Sequence, residues 1–154
     1  MLSRLRLCCR ARRAFFTNCF NQNNLRVAYR ILIVEDAAEV RELLVEVFAD
    51  AGFEVSEAST VASAMTTLSD APVDIVITDC FLPDATHAFV HLIKRDHPRL
   101  PVIVLSGDPE AARHYLPGAD EVIGKPVSIR DLMRSLSRFV DMTDGDGPIF
   151  GLPN

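Results

Sequence analysis

The chain has 154 residues and a formal net charge of −5, but its charges are unevenly distributed. Residues 1–30 contain seven arginines and no acidic residue, which leaves nine basic and twenty-one acidic residues from Ile31 onward, a balance of −12. A chain of this length can form one domain with a substantial core, and a domain this acidic repels nucleic acid and anionic membranes. The composition therefore predicts one folded domain and disfavours nucleic-acid binding.

The cysteines and apolar segments exclude two further classes of protein. Cys8, Cys9 and Cys19 lie near the N-terminus and only Cys80 lies in the domain, so no disulfide framework or metal-ligand spacing is present. No apolar stretch approaches the roughly 18 residues of a membrane span. We therefore predict a soluble cytoplasmic protein.

The two ends of the chain differ from the acidic domain. Residues 1–29 are basic, as in organellar transit peptides, but they lack serine richness and contain a cluster of asparagines. We predict a disordered leader, or a start assigned upstream of the true one. At the other end, Asp144-Gly145-Asp146-Gly147-Pro148 would break any helix. We predict a flexible tail over residues 142–154 and no output domain after it.

Short apolar runs alternate with amphipathic periodicity from residue 31 onward. Buried parallel strands read as unbroken apolar runs, and helices repeat apolar residues at spacings of three and four. In chain order we predict a strand at 31–34, a helix over 40–48, a strand at 53–58, a helix over 61–68, a strand at 73–78, a helix over 88–93, a strand at 102–105, a short helix over 109–116, a strand at 122–124 and a helix over 129–140. Parallel neighbours need crossover connections, so this alternation predicts a five-stranded parallel sheet in a three-layer α/β/α sandwich.

Single residues predict where the helices begin, end and face inward. Gly52, Pro72 and Pro98 should end the first three helices. Ser128 and Asp131 have the spacing of a capping box that would open the last helix. The predicted inward positions are Val40, Leu43, Leu44, Val47 and Phe48 in the first helix, and Ile129, Leu132, Met133, Leu136, Phe139 and Val140 in the last.

Polar residues follow or end four of the five predicted strands. Glu35 and Asp36 follow the first strand, Asp79 the third, Ser106 the fourth and Lys125 the fifth. Ligands bind outside the carboxyl ends of strands in open α/β sheets, so these side chains should converge. The three carboxylates could hold Mg²⁺, which would let Asp79 attack a phosphoryl group. Lys125 would neutralise one phosphoryl oxygen and Ser106 would donate a hydrogen bond to another.

The crowding of these carboxylates has a consequence for pH dependence. Without metal, neighbouring negative charges should raise one another's pKa values. Mg²⁺ binding should therefore strengthen as the pH rises through their titration.

Four motifs, in this order and each at a predicted strand end, carry a specific resemblance. They are Ile-Leu-Ile-Val-Glu35-Asp36, Asp74-Ile-Val-Ile-Thr-Asp79-Cys-Phe-Leu-Pro83, Val-Leu-Ser106-Gly and Gly-Lys125-Pro126. Together they resemble the receiver domain of bacterial-type response regulators, over residues 30–141. The resemblance implies a flavodoxin-like fold with strand order 2-1-3-4-5. It also implies that Asp79 is the phosphoacceptor and that the backbone carbonyl of Phe81 completes the Mg²⁺ ligands.

Three positions depart from the family pattern. Val122 replaces the aromatic residue that usually lies three residues before the lysine. Only 19 positions separate Ser106 from Lys125, so the fourth helix must be short. The loop after Pro83 lacks the usual glycine. The usual coupling between an inward-turning hydroxyl and an aromatic side chain is therefore in question.

The resemblance implies a single-domain response regulator. A histidine kinase or histidine phosphotransfer protein would phosphorylate Asp79, and the modified surface would switch a protein–protein interaction. Enzymatic activity would be limited to self-phosphorylation and autodephosphorylation. The alternative is a pseudo-receiver, a phosphorylation-independent protein-binding module, which Val122 and the short fourth helix favour. An aspartate-nucleophile phosphatase is disfavoured because it needs a second acid where this chain has Phe81.

Other polar residues have simpler interpretations. We interpret Cys80 as a small buried side chain and Asp84 as a solvated loop residue. The histidines lack a third ligand with suitable spacing and are predicted to lie at the surface.

Overall fold

Five parallel strands form one sheet in the computed structural model, which describes residues 28–84 and 86–140. The strands are β1 (Arg30–Val34), β2 (Glu54–Ala58), β3 (Ile75–Asp79), β4 (Val102–Ser106) and β5 (Glu121–Gly124). Their order in the sheet is β2-β1-β3-β4-β5, and every neighbouring pair is parallel. The predicted flavodoxin-like strand order is confirmed.

Five helices alternate with these strands. They are α1 (Ala38–Asp50), α2 (Val61–Asp70), α3 (Thr86–Asp96), α4 (Pro109–Tyr115) and α5 (Ile129–Leu136). Every predicted element is present and most boundaries move by one to three residues. The largest difference is at α5, which ends at Leu136 and is followed by a turn, whereas the sequence predicts a helix to residue 140.

The helix ends show why the chain changes direction at these points. Gly52 follows α1 with a φ of +89°, a conformation that is strained for any residue with a side chain. Ser128 caps α5 by accepting a hydrogen bond from the backbone N–H of Asp131, as its position predicts. A capping box that was not predicted opens α2, where Thr60 and Ser63 exchange hydrogen bonds.

The sheet separates two hydrophobic cores, which confirms the three-layer sandwich. Leu32 and Val34 face the core beneath α2, α3 and α4, whereas Ile31 and Ile33 face the core beneath α1 and α5. Side chains alternate between the faces of a strand, so a strand covered on both faces is apolar at every position. This is why the strands read as unbroken apolar runs.

Three residues predicted to face the core lie at the surface instead. Leu43 is 55% exposed, and Val40 and Ile129 are also exposed, whereas Leu44 and Phe48 are buried. Leu43 is rotated by about 100° from Leu44 around the helix, and the stripe that reaches the sheet is too narrow to include both. Val40 and Ile129 lie in the first turns of their helices, at the edge of the sheet.

The predicted leader and tail lie outside the described residues, apart from Ala28 and Tyr29. Tyr29 packs against the core beneath α1 and α5. Within the described part of the chain, no helix is long and apolar enough to cross a membrane.

Candidate functional site

Strand ends bring the predicted polar residues to one edge of the sheet. Glu35 follows β1, Asp79 ends β3, Ser106 ends β4 and Lys125 follows β5. Carboxylate oxygens of Glu35, Asp36 and Asp79 all lie within 4.8 Å of one another. Since β1, β3 and β4 are neighbours in the sheet, the convergence follows directly from the strand order.

Lys125 bridges two of the carboxylates. Its Nζ lies 3.1 Å from Oε2 of Glu35 and 3.0 Å from Oδ1 of Asp79. The side chains of Glu35 and Asp79 are nearly buried, whereas that of Lys125 is 33% exposed. Its backbone N–H donates to the carbonyl of Ser106 at 2.7 Å, and its bond to Pro126 is cis. One ammonium therefore partly neutralises a cluster of three carboxylates.

The acidic pair is oriented by the start of α1. The backbone N–H of Ala37 donates to Oδ1 of Asp36 at 3.0 Å and to Oε1 of Glu35 at 3.3 Å. Glu35 points into the protein, whereas Asp36 is exposed. A cation at this position would therefore contact both a buried and a solvated carboxylate.

Burial and the charges of the cluster together shift two pKa values. Burial raises the pKa of Glu35, the charge of Asp79 adds to the rise, and the hydrogen bond from Lys125 opposes it. Burial would lower the pKa of Lys125, but its hydrogen bonds to Asp79 and Glu35 outweigh burial and the pKa is raised. The expected rise is thus confirmed for Glu35, although burial rather than crowding is the main cause.

The hydroxyl of Ser106 is buried and bonded to the following loop. Its Oγ donates to the carbonyl of Asp108 at 3.0 Å and accepts from the backbone N–H of Asp108 at 3.1 Å. Ser106 therefore lies at the predicted edge of the sheet, but it would have to release the Asp108 carbonyl to donate to a phosphoryl oxygen. Phe81 is 73% exposed, and the ligand role of its backbone carbonyl stays a prediction.

Two contacts near the site were not predicted. Asp84 is exposed in its loop, as interpreted from the sequence, but it also accepts the backbone N–H groups of Val61 and Ala62 at 2.9 and 3.2 Å. The pKa of Asp84 is lowered, chiefly by the hydrogen bond from Val61. Arg41 donates to backbone carbonyls of the acidic pair. Asp84 is far from its partners in the chain and Arg41 lacks a motif, so the sequence carries no signal for either contact.

An apolar cavity of about 770 Å³ lies beside Ser106. Cys80, Phe81 and Leu82 line it from the loop after β3, and Tyr115 lines it from α4. Cys80 is half-buried rather than buried, and packs against the core beneath α2, α3 and α4. The described histidines, at positions 91, 97 and 114, are exposed as predicted.

Comparisons with known proteins give one consistent result. The family described as "Response regulator receiver domain" matches residues 31–137. The chain is 34% identical over 113 residues to the phosphate regulon transcriptional regulatory protein PhoB of Klebsiella pneumoniae, covering 70% of this chain and 49% of that protein. It is also 34% identical over 113 residues to the DNA-binding transcriptional regulator NtrC of Bradyrhizobium, covering 70% of this chain and 23% of NtrC.

A solved structure has the same fold. The response regulator TrrA of Thermotoga maritima, in complex with Mg²⁺-BeF, superposes with a TM-score of 0.68 at 24% identity, covering 73% of this chain and 99% of TrrA. The chain spans about half the length of PhoB and less than a quarter of NtrC. NtrC is named as a DNA-binding regulator, which weakens the prediction that nucleic acid is not a partner of this chain.

Proposed function

The chain belongs to the response regulator receiver domain family, and on that premise we propose that it accepts a phosphoryl group on Asp79 from a histidine kinase or a histidine phosphotransfer protein. The cluster of three carboxylates within 4.8 Å of one another, with Lys125 bridging two of them, is the observation that carries this proposal. Phosphorylation would switch a protein–protein interaction. The single-domain organisation and the cytoplasmic location stay predictions.

The donor set fits Mg²⁺. Magnesium prefers oxygen ligands and is bound through a few carboxylates and retained waters. Glu35, Asp36 and Asp79 supply those carboxylates, with the carbonyl of Phe81 as the fourth protein ligand. Burial is the main cause of the raised pKa of Glu35, and the negative charge of Asp79 adds to the rise. When bound, Mg²⁺ would offset the repulsion between the carboxylates and the incoming phosphoryl group.

Two hydrogen bonds orient the carboxylate of Asp79, the proposed nucleophile. Its Oδ1 accepts hydrogen bonds from the backbone N–H of Cys80 at 2.6 Å and from Lys125 at 3.0 Å, which orient the carboxylate. A carboxylate oxygen would form the new bond to phosphorus while the bond from phosphorus to the donor histidine breaks. The electron pair of the breaking bond stays on the donor imidazole. Catalysis is therefore mainly positioning and charge stabilisation.

Phosphorylation would change the partners of two residues. Lys125 would turn from Glu35 toward a phosphoryl oxygen, and Ser106 would release the carbonyl of Asp108 to donate to another. The loop between β4 and α4 would then lose a bond that holds it. These differential contacts would shift the protein toward a second conformation that a partner recognises.

An apolar surface beside the site supports a protein partner. Val40 and Leu43 are exposed on α1, whose first turn follows Asp36, and Ile129 is exposed at the start of α5, four residues after Lys125. These side chains lie on the face of the sheet that α1 and α5 cover. A protein that delivers its phosphoryl group to Asp79 could bury them while it docks.

The pseudo-receiver is the second candidate function. Val122 is buried in the core where the family usually has an aromatic residue, and α4 has only seven residues. Both features alter the region through which phosphorylation would be transmitted. The retention of all five polar groups argues against this candidate, because a module that is never phosphorylated does not need them together.

Intact-mass spectrometry tests the proposed function. The wild-type chain and Asp79→Asn are incubated with a small phosphoryl donor, with and without Mg²⁺. We expect a single acid-stable, base-labile phosphoryl adduct that requires both Mg²⁺ and Asp79. A folded wild-type protein that forms no adduct with the small donor or with histidine kinases would favour the pseudo-receiver.

A further inference from the structure

Arg41 contacts the main chain of the acidic pair rather than its carboxylates. Its Nη1 donates to the carbonyl of Glu35 at 2.8 Å and more weakly to that of Asp36 at 3.4 Å. Its Nε donates to Oε2 of Glu57 in β2 at 3.2 Å. The side chain is 17% exposed. One guanidinium therefore links α1, β2 and the turn that carries two of the three carboxylates.

We infer that Arg41 is a positioning residue for the metal site, an inference that rests on the proposed function. Residues 35–37 connect β1 to α1 without regular secondary structure. The carboxylates of Glu35 and Asp36 lie near that of Asp79, so their mutual repulsion favours a turn that opens. The hydrogen bonds from Arg41 to the carbonyls oppose that opening.

Arg41 and Lys125 act on the cluster in different ways. Lys125 contacts carboxylate oxygens of Glu35 and Asp79, so its ammonium competes with a metal for them. Arg41 contacts the carbonyl oxygens of the turn, which leaves the carboxylate oxygens available. A positive charge in this position can hold the ligands in place without occupying them.

The geometry requires arginine rather than any cation. The planar guanidinium presents several donors in a fixed fork, so it can bond to Glu57 and to the turn at the same time. A lysine at this position has one ammonium on a flexible stem and would make these contacts less completely. We therefore expect Arg41→Lys to recover only part of the effect of the arginine.

Arg113 provides a matched control. It donates to the carbonyl of Val122 at 3.2 Å and pairs with Glu110 at 3.2 Å, so it also links a main-chain carbonyl to a glutamate. Its contacts lie on α4 and β5, away from the acidic turn. Its removal should lower the free energy of unfolding without altering the carboxylates.

The test separates metal binding from stability in the full chain. Calorimetry gives the Kd for Mg²⁺, and urea unfolding in chelator gives the metal-free stability, for wild type, Arg41→Met, Arg41→Lys and Arg113→Met. Replacing a residue that orients metal ligands typically weakens metal binding by about 10–100-fold. We expect Arg41→Met to weaken Mg²⁺ binding about tenfold or more, Arg41→Lys to weaken it less, and Arg113→Met to keep the wild-type Kd.

A purely structural role predicts a different result. Arg41→Met would then lose stability and keep the wild-type Kd, which would overturn the inference. Should Arg41→Met fail to fold, the same comparison is made with Arg41→Lys, and a wild-type Kd there overturns it. If the wild-type chain itself does not bind Mg²⁺, the proposed metal site has failed, whereas a wild-type Kd in Arg41→Met overturns only this inference. The two failures are therefore distinguishable.

Discussion

Replacing Lys125 with methionine removes the ammonium that two nearly buried carboxylates share. Its Nζ lies 3.0 Å from Asp79 and 3.1 Å from Glu35. Unit charges at this distance attract by about 5–6 kcal/mol at an effective dielectric constant near 20, before desolvation is subtracted. Removing one partner of a buried ion pair costs about 3–5 kcal/mol. Because Lys125 is one-third exposed, we expect Lys125→Met to lower the metal-free free energy of unfolding by about 2–3 kcal/mol at neutral pH.

The loss should shrink when Mg²⁺ is present. A cation that binds only the folded state adds about 2.7 kcal/mol of stability at a hundredfold excess over Kd. In Lys125→Met no ammonium competes for the oxygens of Glu35 and Asp79, so the variant should gain more than the wild type. Lowering the pH toward the raised pKa of Glu35 should also shrink the loss, because protonation removes one uncompensated charge.

Urea unfolding followed by circular dichroism measures both effects, in chelator and in excess Mg²⁺. Lys94→Met is the matched control, because Lys94 is the only other lysine of the chain and pairs with Asp120 away from the site. The loss of stability in Lys94→Met should be the same with and without Mg²⁺. A deficit of Lys125→Met that is unchanged by Mg²⁺, or that is below about 0.5 kcal/mol, the range of ordinary surface substitutions, would refute this reasoning.

Three further predictions address docking, the core and acid stability. Leu43→Arg should slow phosphorylation by a histidine-phosphorylated donor protein about tenfold and leave phosphorylation by a small donor unchanged, whereas Thr66→Arg on α2 should alter neither rate. Equal slowing of Leu43→Arg with both donors would contradict a docking role for Leu43. Phe48→Ala should lower the free energy of unfolding by about 3–5 kcal/mol, because Phe48 is fully buried and packs edge-on against Phe53; a change below 1 kcal/mol in urea unfolding would argue against this core. Arg30 holds the pKa of Asp74 below its usual 3.8, so the stability from this pair is present above pH 3.8 and is lost as the pH falls toward the lowered pKa. Asp74→Asn should therefore reduce the slope of the free energy of unfolding against pH in the acid range. An unaltered slope would contradict a stabilising pair between Arg30 and Asp74.

The polar residues that meet at the site could be predicted because their signal is local. Each of the five polar residues immediately follows or ends an apolar strand, and the carboxyl ends of parallel strands share one edge of the sheet. Strand order has no such local signal, because periodicity does not record which strands are neighbours. The order could therefore be predicted only from the resemblance that Asp79, Ser106 and Lys125 carry with their flanking residues.

The missed features depend on contacts between separate elements. Asp84 accepts hydrogen bonds at the N-terminus of α2, more than twenty residues earlier in the chain. Arg41 donates hydrogen bonds both to the turn after β1 and to β2. The exposure of Leu43 depends on the width of the helix face that the sheet covers, which the spacing of apolar residues does not define. Packing geometry rather than residue type decides these three cases.

The hydrogen bond from the hydroxyl of Ser106 to the carbonyl of Asp108 sets a background level of signalling under the proposed function. Such a bond contributes about 1 kcal/mol net. Without a phosphoryl group, the hydroxyl would then be released in about 16% of molecules, since RT is about 0.6 kcal/mol. Phosphorylation can therefore raise the released population at most about sixfold. The dynamic range of this receiver would be limited by a single backbone carbonyl in the loop before α4.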